Sequence, residues 1–268
     1  MKNQKVYEAD DQLISIIRDN YNVLQSLGSF GISLGFGDKT VKEVCEKEHV
    51  DTTTFLAVVN FTINGYLDKI QVDLLDVATL LHYLRASHEY FMKFQLPFIR
   101  KKLADSLDET DNVGKLILKL YDNYVHSITS HMTFEERTLF PYVQRLLDGQ
   151  SGGKFNIDTF SKHHSTVTQK LKELKSIIIK YLPSDELRNN RLTATLYDLY
   201  NNEEWLSLHS EVEDNIFIPA IHYLENKLQK DINMPTPVSV NLLSERERDV
   251  VVSLVHGMSN KEIADHLN

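Results

Sequence analysis

A chain of 268 residues with 42% hydrophobic and 25% charged side chains has the make-up of an ordinary soluble globular protein, enough for one medium domain with small modules or for two domains. The formal net charge of −9 excludes a global basic field for nucleic acid, and the one cysteine, Cys45, excludes an intrachain disulfide and fits a reducing cytosol. The N-terminus is polar and no apolar run approaches the roughly 18 residues of a membrane span, so the expectation is a cytoplasmic protein without membrane attachment.

Ten glycines and six prolines leave little room for tight turns, which favours an all-α fold. Leu13, Ile14, Ile17, Tyr21 and Leu24 recur at helical spacing and predict one helix over residues 11–27. "GSFGISLGFGD", 28–38, holds four of the ten glycines and reads as a loop. Thr40 with Glu43 forms a capping box for a short helix, and Asp51 can cap another through about Asn64. These elements make a small helical module over residues 8–68.

Four long helical patterns follow, over about 73–96, 112–147, 157–182 and 192–228. Pro141 is expected to bend or end the second, and Pro219 lies late in the fourth. On the third, Phe160, Val167, Leu171, Leu174 and Ile178 share one stripe. Four such helices joined by short polar loops predict a four-helix bundle over residues 73–228. "QKDINMPTPVSVN", 229–241, is a linker. The last segment, 242–268, reads as two short helices, with capping boxes at Ser244/Glu247 and Ser259/Glu262 and a C-terminal cap at Gly257.

One arrangement occurs twice. "HMTFEERTLFPYV" starts at His131 and "HSEVEDNIFIPAI" at His209; each reads His, three residues, Glu, with a Pro ten positions after the His. Positions i and i+4 share a helix face, so His131 points with Glu135 and His209 with Glu213. Both pairs fall on the apolar stripe of their helix, where a carboxylate is costly unless paired or bound to metal. The first helix adds His88, and the third adds His163 or His164, between which periodicity does not choose. Four imidazoles and two carboxylates suit two borderline transition-metal ions such as iron, with both glutamates bridging. Six ligands leave coordination positions open to water, dioxygen species or nitric oxide. A single His-x-x-x-Glu pair is ordinarily a solvated helix face; the duplication and the further interior histidines argue for a site.

These motifs resemble the hemerythrin-like di-iron proteins of the repair-of-iron-centres (RIC) type. "SHMTFEERTLFP" and "LHSEVEDNIFIP" are similar to that family's paired ligand helices, and "SKHHSTV" to its third-helix segment. The resemblance implies metal ligands at His88, His131, Glu135, His163, His209 and Glu213, holding two non-haem iron ions. It extends to "LQSLGSFGISLGFGDKTVKEVCEKEHVD", which resembles the family's N-terminal module, except that Gly35 and Phe36 stand where the family has two adjacent cysteines. Cys45, in the following helix, does not replace them and is expected to be packed. "LSERERDVVVSLVHGMSNKEIADHLN" resembles the opening of a LuxR-type helix-turn-helix domain.

Together these readings make the chain a cytoplasmic di-iron sensor of oxygen, peroxide, nitric oxide or iron status, coupled to transcription, rather than an enzyme. The alternative is a di-iron protein that repairs iron–sulfur clusters, donates iron or removes nitric oxide in nitrosative or oxidative stress. The expected partners are a small diatomic or oxygen-species ligand and DNA through a completed C-terminal module, with a homodimer as the candidate assembly. In such modules the second helix reads the major groove, and the sequence reaches Asn268 before that helix. The 268-residue chain should therefore give no sequence-specific gel shift with or without iron, whereas a chain extended through a recognition helix should bind with an affinity that depends on the state of the iron.

Overall fold

The computed structural model describes residues 5–66, 71–107, 112–150, 157, 165–182, 186–233 and 244–255. Among them the regular elements are helices, and the extended backbone pairs only at the isolated bridge between Gln12 and Thr40. The all-α expectation holds. The chain divides into two compact units, Met1–Glu225 and Asn226–Asn268.

The first unit opens with four short helices: α1 (Leu13–Asp19), α2 (Val23–Ser29), α3 (Val41–Lys47) and α4 (Thr52–Asn64). The single helix expected over 11–27 is thus broken in two. At the break Asn20 is extended (φ −149°), and its side-chain oxygen accepts from the Asn22 N–H at 3.0 Å. A short amide side chain that bonds locally offers the backbone an alternative to the helix. Restarting the helix also changes its face: Leu13, Ile16, Val23 and Leu27 are buried, while Tyr21 and Leu24 face solvent. The two expected caps are present. Thr40 and Glu43 close a capping box, and Asp51 accepts from the Thr54 N–H at 2.7 Å. Gly65 ends α4 at φ 75°, a left-handed conformation that costs glycine no Cβ clash.

The long rods follow: α5 (Val77–Tyr90), capped by Asp76 and continued by α6 (Leu96–Ser106); α7 (Asn112–Phe134), continued by α8 (Phe140–Leu147); α9 (Ser165–Tyr181); and α10 (Glu186–Val212), continued by α11 (Ile218–Asn233). The second and fourth rods run past Pro141 and Pro219 as their patterns do, and the first runs past Pro97, ten residues beyond its expected end, to Ser106. The device is the same each time. A π-helical segment precedes the proline: Phe91–Gln95 before Pro97, Glu135–Leu139 before Pro141, and Glu213–Phe217 before Pro219. In each the hydrogen bond spans five residues: Leu96 N–H donates to the Phe91 carbonyl, Phe140 to Glu135, and Ile218 to Glu213. A proline in an α-helix lacks one N–H and drives its ring into the carbonyl four residues back. One extra residue in the preceding turn moves that carbonyl aside and lets the rod continue.

Below the π segments the rods share an apolar core. Ile99 and Leu103 of α6, Ile117, Tyr121, Tyr124 and Ile128 of α7, Leu171, Leu174 and Ile178 of α9, and Leu199 of α10 are all buried in it. Lys175 is buried on the same α9 stripe, paired with Glu203 and 3.7 Å from the centroid of the Tyr200 ring. Of the third pattern's expected stripe, Phe160 lies outside the described residues. In the second unit, α12 (Glu245–Val255) carries the expected box: Ser244 N–H donates to Glu247 at 2.7 Å, and Glu247 N–H donates back to Ser244 Oγ at 3.4 Å. Gly257, Ser259 and Glu262 lie outside the described residues.

Ile117 is completely buried in this core and distant in sequence from the histidines, so Ile117→Ala should cost about 2–5 kcal/mol in denaturant unfolding of the metal-free chain, with its metal content after reconstitution unchanged.

Candidate metal centre

Glu135 and Glu213 are the first residues of two of the π segments. Each stands one turn beyond a histidine on the inner stripe of its rod, and both side chains are 0% exposed. His88, near the end of α5, is equally inaccessible, and His209 is buried on α10. Their donor atoms converge. His88 Nε2 lies 3.1 Å from Glu135 Oε2 and 3.2 Å from His209 Nε2, and His209 Nε2 lies 3.3 Å from Glu213 Oε1. One ligand atom from each of these four residues falls within 4.8 Å of the other three. His131 is at the rim: its side chain is 21% exposed, with Nε2 3.0 Å from Glu135 Oε1. His163 and its rival His164 lie outside the described residues. His49, His82 and His126 are exposed.

The chemistry of this donor set fits a metal ion. Two carboxylates in an apolar interior are costly unless positive charge meets them, and two imidazoles bring at most a proton each. A divalent cation meets both carboxylates at once. Nitrogen and oxygen donors in this mixture suit borderline first-row metals, iron among them. His88, Glu135, His209 and Glu213 are the residues that could hold such an ion, with His131 beside them. Burial pushes the His88 imidazole down, but the hydrogen-bonding carboxylates of Glu135 and Glu136, with the charge of Glu213, outweigh it and hold the group up at about 9.

Two contacts on the outer side were not foreseen. His88 Nδ1 lies 3.2 Å from Glu136 Oε1, and His209 Nδ1 lies 3.0 Å from Ser87 Oγ. Each imidazole therefore has one nitrogen toward the cluster and the other on a protein oxygen. Both partners are sequence neighbours of predicted ligands, which is the only signal that could have marked them.

The N-terminal helices reach the same place. Phe30, just after α2, packs on Tyr83 of α5 with ring centroids 4.6 Å apart, and Asn22 donates to Glu204 of α10 at 3.0 Å. Behind His209 this leaves a cavity of about 20 Å³, lined among others by Gln25, Ser26, Tyr83, Ser87 and Trp205. That is room for about one water molecule. Burial pushes the Tyr83 phenol up to about 12, against a hydrogen bond from Ser26 and with the charge of Glu213.

A bundle whose rods turn His and Glu inward onto one point is the architecture of a helical metal-binding domain. Residues 79–221, just over half of the chain, match the Hemerythrin HHE cation binding domain, and the chain belongs to that family. Residues 241–268 match the bacterial regulatory proteins of the luxR family. No curated protein and no solved structure matches the chain. The expected resemblances to hemerythrin-like and LuxR-type sequences thus hold in this order along the chain, and they describe a metal-binding regulator. No described helix is long and apolar enough to cross a membrane.

A histidine held at about 9 contributes stability that is fully present below its ordinary value of 6.5 and is lost as pH rises through 9. Denaturant unfolding of the metal-free protein should show this loss between about pH 6 and 10, and His88→Gln should flatten it. Metal competes with the same proton, so metal affinity should tighten with rising pH over that window.

Proposed function

We propose that the bundle holds two iron ions and reports the arrival of a small ligand, an oxygen species or nitric oxide, to the LuxR-type segment. The observation that carries this reading is the buried meeting of His88, Glu135, His209 and Glu213 in a chain that also matches a family of transcription regulators. His131 and His163 would complete the ligand set with His88, Glu135, His209 and Glu213. When bound, the ions would supply one-electron redox chemistry and open coordination positions. The rods then do the rest. The π segments aim the carboxylates, the apolar core below keeps water from the inner side, and the His131 rim gives access from outside.

In this reading residues 8–68 are a module of the RIC type that has lost its thiol chemistry, 73–228 are the sensing bundle, 229–241 the linker and 242–268 the opening of the DNA-binding module, in a cytoplasmic protein. A loss of thiol chemistry is supported by Cys45, which is buried and whose thiol burial pushes up to about 11, despite a hydrogen bond from Thr52. A thiol held protonated is a poor nucleophile and a poor metal ligand. This favours sensing over repair of damaged clusters.

Protein purified without added metal should carry about two irons per chain, the number that four imidazoles and two carboxylates would suit. Glu135→Ala and Glu213→Ala should each lose most of it, measured by elemental analysis, and His163→Ala should lose much more than His164→Ala. Nitric oxide added to the reduced protein should change its optical spectrum. Iron content near zero in the parent chain would remove the metal reading; full iron with no response to nitric oxide would remove the sensing one.

A further inference from the structure

Two adjacent residue pairs divide their work in the same way. On α5, His88 turns into the cluster while its neighbour Ser87 reaches across to His209 on the opposite rod. On the second π segment, Glu135 turns into the cluster while its neighbour Glu136 reaches back to His88. The wider π turn is what lets consecutive carboxylates serve one site: with more residues per turn, neighbouring side chains diverge less than on an α-helix. Ser87 is buried, and Glu136 is a third exposed.

We propose that Glu136 and Ser87 are positioning residues that make the two imidazoles unequal donors, Glu136 strengthening His88 and Ser87 orienting His209. The proposal rests on the metal reading of the cluster. A hydrogen-bond acceptor on the outer nitrogen of a ligand imidazole fixes its tautomer and ring direction and raises its donor strength. A carboxylate does so more than a neutral hydroxyl, because it accepts with a full charge. His88 is further pinned by Phe140, stacked on it with centroids 5.1 Å apart and planes 20° from parallel. Its ring therefore cannot turn to follow a displaced partner, and loss of Glu136 removes donor strength rather than being absorbed by rotation. His209 has Phe91 edge-on at 6.1 Å and depends more on Ser87 for its direction.

The test uses the full chain titrated with ferrous iron against a chelating competitor, with the reduction potential of the loaded protein as second readout. Glu136→Gln should weaken binding roughly 10–100-fold and raise the reduction potential, because a weaker donor favours the reduced ion. Glu136→Asp, which keeps the charge, should recover part of both. Ser87→Ala should weaken binding by a smaller factor, with Ser87→Thr restoring it. Glu89→Gln is the control: Glu89 sits beside His88 in sequence but is exposed and paired with Lys93 at 2.6 Å. It removes the same charge without touching an imidazole and should change nothing. Parent protein that takes up no iron would overturn the metal reading and this proposal with it. Parent protein that binds iron while Glu136→Gln matches it in affinity and potential, or matches Glu89→Gln in a shared loss, would overturn the proposal alone. If Glu136→Gln does not fold, Ser87→Ala decides by the same two readouts.

Discussion

Glu135 meets His88 and Glu213 meets His209 inside a helical bundle, and neither carboxylate has any solvent exposure. Removing two carboxylates from water is the dominant local cost in this molecule, and much of the architecture around them reads as a response to it. Imidazoles come from α5 and from the glutamates' own rods, aromatic rings close the gaps, and the charge balance is met by protons or by a cation. Such a cluster is a poor source of stability in the metal-free state. The apolar core lower in the bundle, around Tyr121, Tyr124 and Leu199, is where folding energy is gathered. Stability and chemistry are thus placed in different layers of the same rods.

The three prolines connect the layers. Each would end an ordinary helix, yet each is preceded by a π turn that carries the rod past it. Two of those turns start on a buried glutamate. The irregular turn accommodates the proline and also sets the direction in which Glu135, Glu136 and Glu213 leave the backbone. Proline and ligand spacing therefore belong to one structural unit, which explains why the Pro stands ten positions after the His in both copies of the motif.

The N-terminal helices are more than an appendage of the bundle. Phe30 stacks on Tyr83, Asn22 bonds to Glu204, and Ser26 and Gln25 help wall a water-sized space behind His209. The segment that lacks the cysteine pair of the RIC resemblance still touches the site, through packing and hydroxyl groups. Its position gives a change at His209 a short physical route to the N-terminal helices of the same compact unit, and the reverse.

Much was legible in the chain itself. Apolar periodicity at 3.6 residues marks the rods, Thr40, Asp51 and Ser244 mark helix starts, and the two His-x-x-x-Glu copies on apolar stripes mark the candidate site, because a carboxylate on a core face is a local contradiction that one helix alone cannot resolve. Local bonding already misled at Asn20, where a side-chain oxygen took the N–H that a continuous helix needed. Pro97 misled in the opposite direction: the first pattern ends at residue 96, just before it, whereas the rod continues to Ser106, because packing of the rod beyond the proline repays a π turn. Ser87 and Glu136 had no signal of their own. Whether a hydroxyl or a second carboxylate meets an imidazole is decided by how α5, the Glu135–Leu139 turn and α10 lie against one another, at separations of 48 and 122 residues. Sequence determines which side chains each helix turns inward; the tertiary structure decides which of them meet, because those distances are set by packing between rods and by no pattern within any one of them.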